Sequence, residues 1–145
     1  MGFFNSLDIG ASGLTAQRVR MDTISQNIAN INTTRTEDGT PYRRKDVVFE
    51  ERSDSFSSVL ANASNNLSAG QGVRVTKIVE DSSDFKKQYD PGHPDADAEG
   101  YVSMPNVDVV TEMVNMISAT RSYEANVTSI NATKSMALKA LEIGK

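Results

Sequence analysis

Between Val107 and Ile143 the chain contains neither proline nor glycine, and its apolar residues recur at alternating three- and four-residue steps. Val109, Met113, Met116, Tyr123, Val127, Ile130, Ala137 and Leu141 fall on one seam, interrupted by Thr120 and Lys134. That spacing is the a/d pattern of a helix packed lengthwise on another helix. A continuous helix over this stretch would be roughly 55 Å long at ~1.5 Å per residue. Its ends suit it: Asp108 and Glu112 lie in the first turns, Lys134 and Lys139 near the last, and Gly144 follows as a stop.

The remaining faces of this helix are unusual. Water-facing helices are commonly coated with Lys, Glu, Gln and Arg. Here the outer positions read Asn115, Ser118, Ser122, Asn126, Ser129, Asn131, Thr133 and Ser135. Short polar side chains compete for the backbone's hydrogen bonds and are mediocre helix formers. They also let other chains approach closely. The composition therefore favours a helix surrounded by neighbours and incompletely formed without them.

A second heptad-like segment spans Ser6 to Ile31. Leu14, Met21 and Ile28 continue from Leu7 at seven-residue spacing, and Ile24 and Ile31 occupy intervening seam positions. Gly10 and Gly13 each cost a helix ~1 kcal/mol, so the segment should be firm from Leu14 onward and looser before it. The expected fold class is mainly α, with long N- and C-terminal helices pairing as an antiparallel coiled coil. Residues 1–33 and 105–145 would form one helical domain, joined by an irregular, β-containing middle portion, 34–104.

Within that middle portion, Tyr42 to Glu51 reads as a short strand, and Val73, Val75, Lys77 and Val79 share one side of a second. Ser53 to Gly72 is rich in Ser, Asn and Ala and reads as a loop, with at most a short helix near 56–63. Pro91, Gly92 and Pro94 make 90–100 irregular.

Composition excludes several functions. The 145 residues are 38% hydrophobic with no tryptophan, so a large private core is not expected. A net charge of −4 disfavours nucleic acid, and the basic triplet Arg43, Arg44, Lys45 is followed by Asp46, Glu50 and Glu51. Zero cysteines exclude disulfides and thiol chemistry. No stretch approaches the ~20 apolar residues of a membrane span, and no cleavable secretory signal is visible. Gly2 and Ser6 match a loose myristoylation pattern that often arises by chance.

His93 lies beside Asp90, Asp95, Asp97 and Glu99, and Asp95-x-Asp97-x-Glu99-Gly100 imitates the start of an EF-hand loop. Asn106, however, stands where that loop needs a bidentate Glu, and one histidine without cysteines is a poor zinc site. A structured acidic turn is the better reading. No nucleophile elbow, phosphate loop or dinucleotide fingerprint is present. The sequence thus points to a non-enzymatic protein without cofactor or metal.

Three stretches carry a resemblance. Ser12-Gly13-Leu14, Arg20-Met21 and Ser25-Gln26-Asn27-Ile28-Ala29-Asn30 resemble the N-terminal signature shared by bacterial flagellar rod and hook proteins. PYRRKDVVFEE, the segment from Asp90-Pro91-Gly92-His93-Pro94 through Asn106, and EMVNMISATRSYEANV are similar to the proximal-rod branch of that family. The match covers roughly residues 5–51 and 85–145. It implies a structural subunit that leaves the cell uncleaved through the flagellar type III export apparatus. Such a subunit assembles with copies of itself and other rod proteins in the periplasm, above the inner-membrane ring. There it forms a helical tube that transmits torque, with both terminal helices in the inner layer. On that reading Leu14, Met21, Ile24, Ile28 and Ile31 pack against Met113, Met116, Tyr123, Val127 and Ile130. Asn27 and Asn30 either close the first helix or bond to a neighbour, and Arg121 and Glu124 are candidates for pairs between subunits.

Overall fold

A computed structural model describes residues 3–52 and 70–143. The short helix considered near 56–63 lies outside the described residues. In chain order the elements are α1 (Phe3–Ala29), β1 (Lys45–Glu51), β2 (Val73–Glu80), β3 (Lys86–Tyr89), β4 (Tyr101–Met104) and α2 (Val109–Ile143). Two long helices thus flank a middle portion of two antiparallel β-hairpins.

α1 begins at Phe3, three residues before the Ser6 start of the heptad-like segment, and runs without interruption through Gly10 and Gly13, where propensity alone predicts a looser helix. The reason is tertiary: both glycines lie against α2. A Cβ added at Gly10 would fall 2.7 Å from Ile130 Cγ1, and one at Gly13 would fall 2.9 Å from Asn126 Nδ2. The missing side chains let the helices approach closely, which offsets the helix-propensity cost. The pair is antiparallel: Gly10 meets Ile130, Gly13 meets Asn126, Thr120 Oγ1 lies 3.7 Å from Met21 Sδ, and Asn27 bonds Glu112.

α2 spans 35 residues, about 52 Å at ~1.5 Å per residue. Asp108 caps it, its carboxylate accepting from Val110 N–H at 2.8 Å and Thr111 N–H at 3.2 Å. These N–H groups, Thr111 first and then Val110, hold the Asp108 carboxyl below its ordinary value.

The stripe α2 turns inward differs from the expected seam in every second member. Met116, Tyr123, Ile130 and Ala137 are sheltered, as their spacing requires. Between them stand Glu112, Ala119, Asn126 and Thr133, each one position earlier than the seam residues Met113, Thr120, Val127 and Lys134. Glu112 and Ala119 are fully buried, whereas Met113 is 54% and Leu141 72% exposed. Val109 is also exposed and Val127 half-buried. The glycines of α1 leave space for what α2 brings: Ile130 lies against Gly10 and Asn126 against Gly13, so the stripe alternates short side chains at Ala119, Asn126 and Thr133 with larger ones at Met116, Tyr123 and Ile130.

β1 and β2 pair antiparallel, Lys45 opposite Glu80 and Glu51 opposite Val73, with a register shift between Val48 and Phe49. The strand starts at Lys45 rather than Tyr42 because Tyr42 is engaged by Thr33, whose carbonyl accepts its N–H at 3.1 Å. The shift breaks the alternation of β2, leaving Val73, Val75 and Val79 half-buried but Lys77 and Ile78 exposed. This hairpin lies against α1. At its start Ser12 Oγ accepts from Val73 N–H at 3.1 Å while donating to Ile9 O at 2.7 Å. Gly72 sits at φ +92°, and a Cβ there would collide with Ser12 Oγ.

The second hairpin pairs Lys86 with Met104 and Tyr89 with Tyr101. Its connecting loop is the segment around His93, and Val102, Pro105 and Val107 beyond it are buried.

Candidate functional site

The most completely buried side chains large enough to carry chemistry are polar. Asn27 and Glu112 are both 0% exposed and meet where α1, β1 and α2 converge. Asn27 fills its hydrogen-bonding capacity. Its amide donates to Lys45 O at 2.8 Å and Glu112 Oε2 at 2.9 Å; its carbonyl accepts from Lys45 N–H at 2.9 Å and Tyr42 O–H at 3.0 Å. Glu112 Oε1 accepts from Arg44 Nε at 2.8 Å.

Arg44 is held at both ends. Its backbone N–H donates to Asn106 Oδ1 at 2.8 Å, and its guanidinium faces Glu112, Asp46 at 3.6 Å and Asp81 at 3.7 Å. Burial works against the Arg44 charge, but the Glu112 hydrogen bond and the surrounding carboxylates outweigh it and hold the group above its ordinary value. Burial first, then the charges of Glu112 and Glu80, push the Tyr42 phenol up. Asn106 completes the junction, donating to Asp81 O at 3.1 Å and Ser83 Oγ at 2.9 Å. Asp81 is in turn held below its ordinary value, chiefly by the Ser83 N–H that it accepts.

The rest of the basic triplet folds inward too. Arg43 stacks 4.3 Å over the Phe85 ring and donates to Asp81 O, and the Lys45 ammonium lies 5.7 Å from the Tyr42 ring. These charges stitch the middle portion together and leave no basic field.

Asn30 closes α1. Its amide donates to Gln26 O at 2.9 Å and its carbonyl accepts from Thr33 Oγ1 at 3.1 Å. Asn30 thus takes the helix-closing role, whereas Asn27 takes neither of the roles expected for it: its bonds join α1 to β1 and α2 of the same chain. Ala29 is exposed, while Leu14, Met21, Ile28 and Ile31 are half-buried and Ile24 is buried.

Around His93 the carboxylates serve the loop's own backbone. Asp90 Oδ1 accepts from Gly92 N–H, and Asp97 Oδ1 accepts from Glu99 and Tyr101 N–H. His93 Nδ1 accepts from Asp95 N–H at 3.1 Å, and Asp95 Oδ2 accepts from Thr34 Oγ1 at 2.8 Å. Pro91 and Pro94 are exposed at the rim. Among the described residues no group of three His, Cys, Asp or Glu side chains is placed to hold a metal.

One surface was not legible as such in the seam pattern. Val110, Met113, Val114 and Ile117 are 71%, 54%, 60% and 54% exposed and repeat at three- and four-residue steps along the outer side of α2. A second apolar group stands at the far end, where Phe4, Met136, Leu138, Leu141 and Ile143 are exposed. Patches of this kind mark contact sites for other chains. None of the helices in the described residues is long and apolar enough to cross a membrane.

The terminal segments match two family models: Flagella basal body rod protein over residues 7–35, and Flagellar basal body rod FlgEFG protein C-terminal over 98–143. Similar proteins cover essentially the whole chain. The flagellar basal-body rod protein FlgC of Bacillus subtilis is 57% identical, with all of both chains covered. That of Borreliella burgdorferi is 50% identical over 99% of this chain and 98% of its own. That of Escherichia coli O6:H1 is 46% identical over the full length of both. With two long helices, apolar outer faces and full-length identity at this level, the chain belongs to the FlgC family of flagellar basal-body rod proteins.

Proposed function

We propose that this protein is a structural subunit of the proximal rod, exported through the flagellar type III apparatus without cleavage and built into a helical tube that transmits torque. Residues 1–33 and 105–145 act as one helical unit, which supercoils and lies in the inner layer of that tube. Its neighbours are copies of itself, other rod proteins and, at the base, the inner-membrane ring. The observation that carries the reading is the exposed stripe Val110, Met113, Val114 and Ile117. Four apolar residues at helical spacing on the side away from α1 suit a second helix packing alongside. Absence of cysteine and a small private core suit passage through a narrow channel and ordering on arrival.

The test is electron microscopy of basal bodies from a strain lacking this gene. Rings without a stable rod above the inner-membrane ring are expected, with rods restored by the unaltered gene. Complete rods and motile filaments in the deletion strain would overturn the proposal. Replacing Ile28 or Val127 with Asp should block rod assembly while the protein is still made.

A further inference from the structure

We infer that the buried Asn27–Glu112–Arg44 junction is a register lock, selecting one longitudinal alignment of α1 and α2 from alternatives that the helix seam alone would tolerate. This stands apart from the rod assignment and concerns the chain's own folding.

The seam is permissive. The residues between α2's apolar members are Ala119, Asn126 and Thr133, and α1 offers Gly10, Gly13 and Ala16. Slide α2 by one heptad so that Gly10 faces Ala137. Gly13 then faces Thr133, so both glycines of α1 again meet a side chain no larger than the one each meets now. In that alignment Asn27 faces Ala119 and loses Glu112, while Glu112 leaves both Asn27 and Arg44. Glu112, now 0% exposed, would lose both Asn27 and Arg44, and Asn27 would lose one of its four hydrogen bonds while keeping those to Lys45 and Tyr42; a carboxylate parted from its cation is far costlier than a shifted methyl contact. One buried polar position fixing register is the best-attested use of such residues in paired helices. Here the lock has a second anchor, because Asn106 holds the Arg44 N–H just ahead of α2. The start of α2 is thereby placed against β1 as well as α1.

Because the chain has no cysteine, introduced pairs report register without background. Met21→Cys with Thr120→Cys reports the observed alignment, since these side chains touch. Met21→Cys with Val127→Cys reports the alignment displaced by one heptad. Each pair is placed in the full-length chain, with the junction intact and with Asn27→Leu and Glu112→Leu together, and oxidised at low protein concentration. With the junction intact, the first pair should close in large excess. With both leucines, the ratio of first to second should fall at least tenfold. An unchanged ratio in a folded leucine variant would overturn the lock, as would equal closure of both pairs with the junction intact. If the leucine variant does not fold, the disulfide of the first pair is formed in denaturant and the chain returned to buffer. Recovery of helix then supports the lock, and failure to recover overturns it.

Discussion

Asn27 donates to Glu112 at 2.9 Å across a sequence separation of 85 residues, and neither side chain reaches solvent. This bond joins the two ends of the chain at a point where β1 and the turn before α2 also meet. A protein with few large buried apolar side chains thus concentrates its specificity in polar groups that are fully satisfied.

Glu112→Ala leaves Arg44 and Asn27 facing a vacated position that no longer holds an acceptor. Breaking a buried pair in this way costs about 3–5 kcal/mol. Chemical denaturation of full-length protein should show a loss of that order. Arg44→Met combined with Glu112→Leu should lose much less than the two single changes added together, because no buried charge is then left uncompensated and the other partners of Arg44, Asp46 and Asp81, reach solvent.

Gly72 combines φ +92° with a Cβ position occupied by Ser12 Oγ. Gly72→Ala is therefore strained twice, and should destabilise by more than the ~1 kcal/mol typical of a point change. Adding Ser12→Gly relieves the collision but leaves the backbone strain, removes the acceptor of the Val73 N–H and puts another glycine in α1, so thermal melting should recover at most in part.

Gly10→Ala would stabilise an isolated helix by ~1 kcal/mol. Against Ile130 the sign should reverse, because the added carbon would fall 2.7 Å from Cγ1. With Ile130→Ala as background the same change should become neutral or favourable. A double-mutant cycle read by melting temperature checks it.

Asp108 and Asp81 are both held below the ordinary aspartate value by N–H groups they accept. A depressed folded value means the stabilisation is present above the unfolded pKa, near 3.8, and is lost as pH falls through the lower folded value. Stability should hold from neutrality down to about pH 4 and then decline. Asp108→Asn keeps a capping side chain without the titration, so its melting temperature should fall less steeply below that point.

Val114→Glu and Ile117→Glu alter residues that are 60% and 54% exposed. Stability of the free chain should change by no more than ~0.5 kcal/mol. Rod formation, scored by microscopy and by swimming in soft agar, should fail. Normal swimming in both variants would show that this stripe faces no partner.

Some of this architecture was readable from residues alone. The proline- and glycine-free stretch marked α2 to within two residues at its start, and the sevenfold spacing from Leu7 to Ile28 marked α1. The alternation at Val73 and Val75 marked β2, and the Asp-Pro-Gly-His-Pro run marked an irregular loop. The terminal signatures carried the family. Spacing placed Met116, Tyr123, Ile130 and Ala137 on the sheltered side of α2 and missed the alternate members, which lie one position earlier at Glu112, Ala119, Asn126 and Thr133. The apolar residues of α2 form two overlapping stripes, one shared with α1 and one exposed, and a single periodicity merges them. Glu112 read as a helix-start carboxylate and Arg44 as part of a neutralised basic run. Nothing local signals that they meet.

The sequence by itself determined the two long helices, the β-containing middle and the membership in a rod-protein family, because each rests on short-range spacing or on motifs many residues long. Only the tertiary structure decided which face of each helix is covered, why Gly10, Gly13 and Gly72 are needed, and that Asn27, Arg44, Asn106 and Glu112 form one junction. Those features depend on residues far apart in the chain arriving within 3 Å of one another. Such coincidence follows from the close approach of backbones and the desolvation of paired polar groups, neither of which leaves a periodic trace in the sequence.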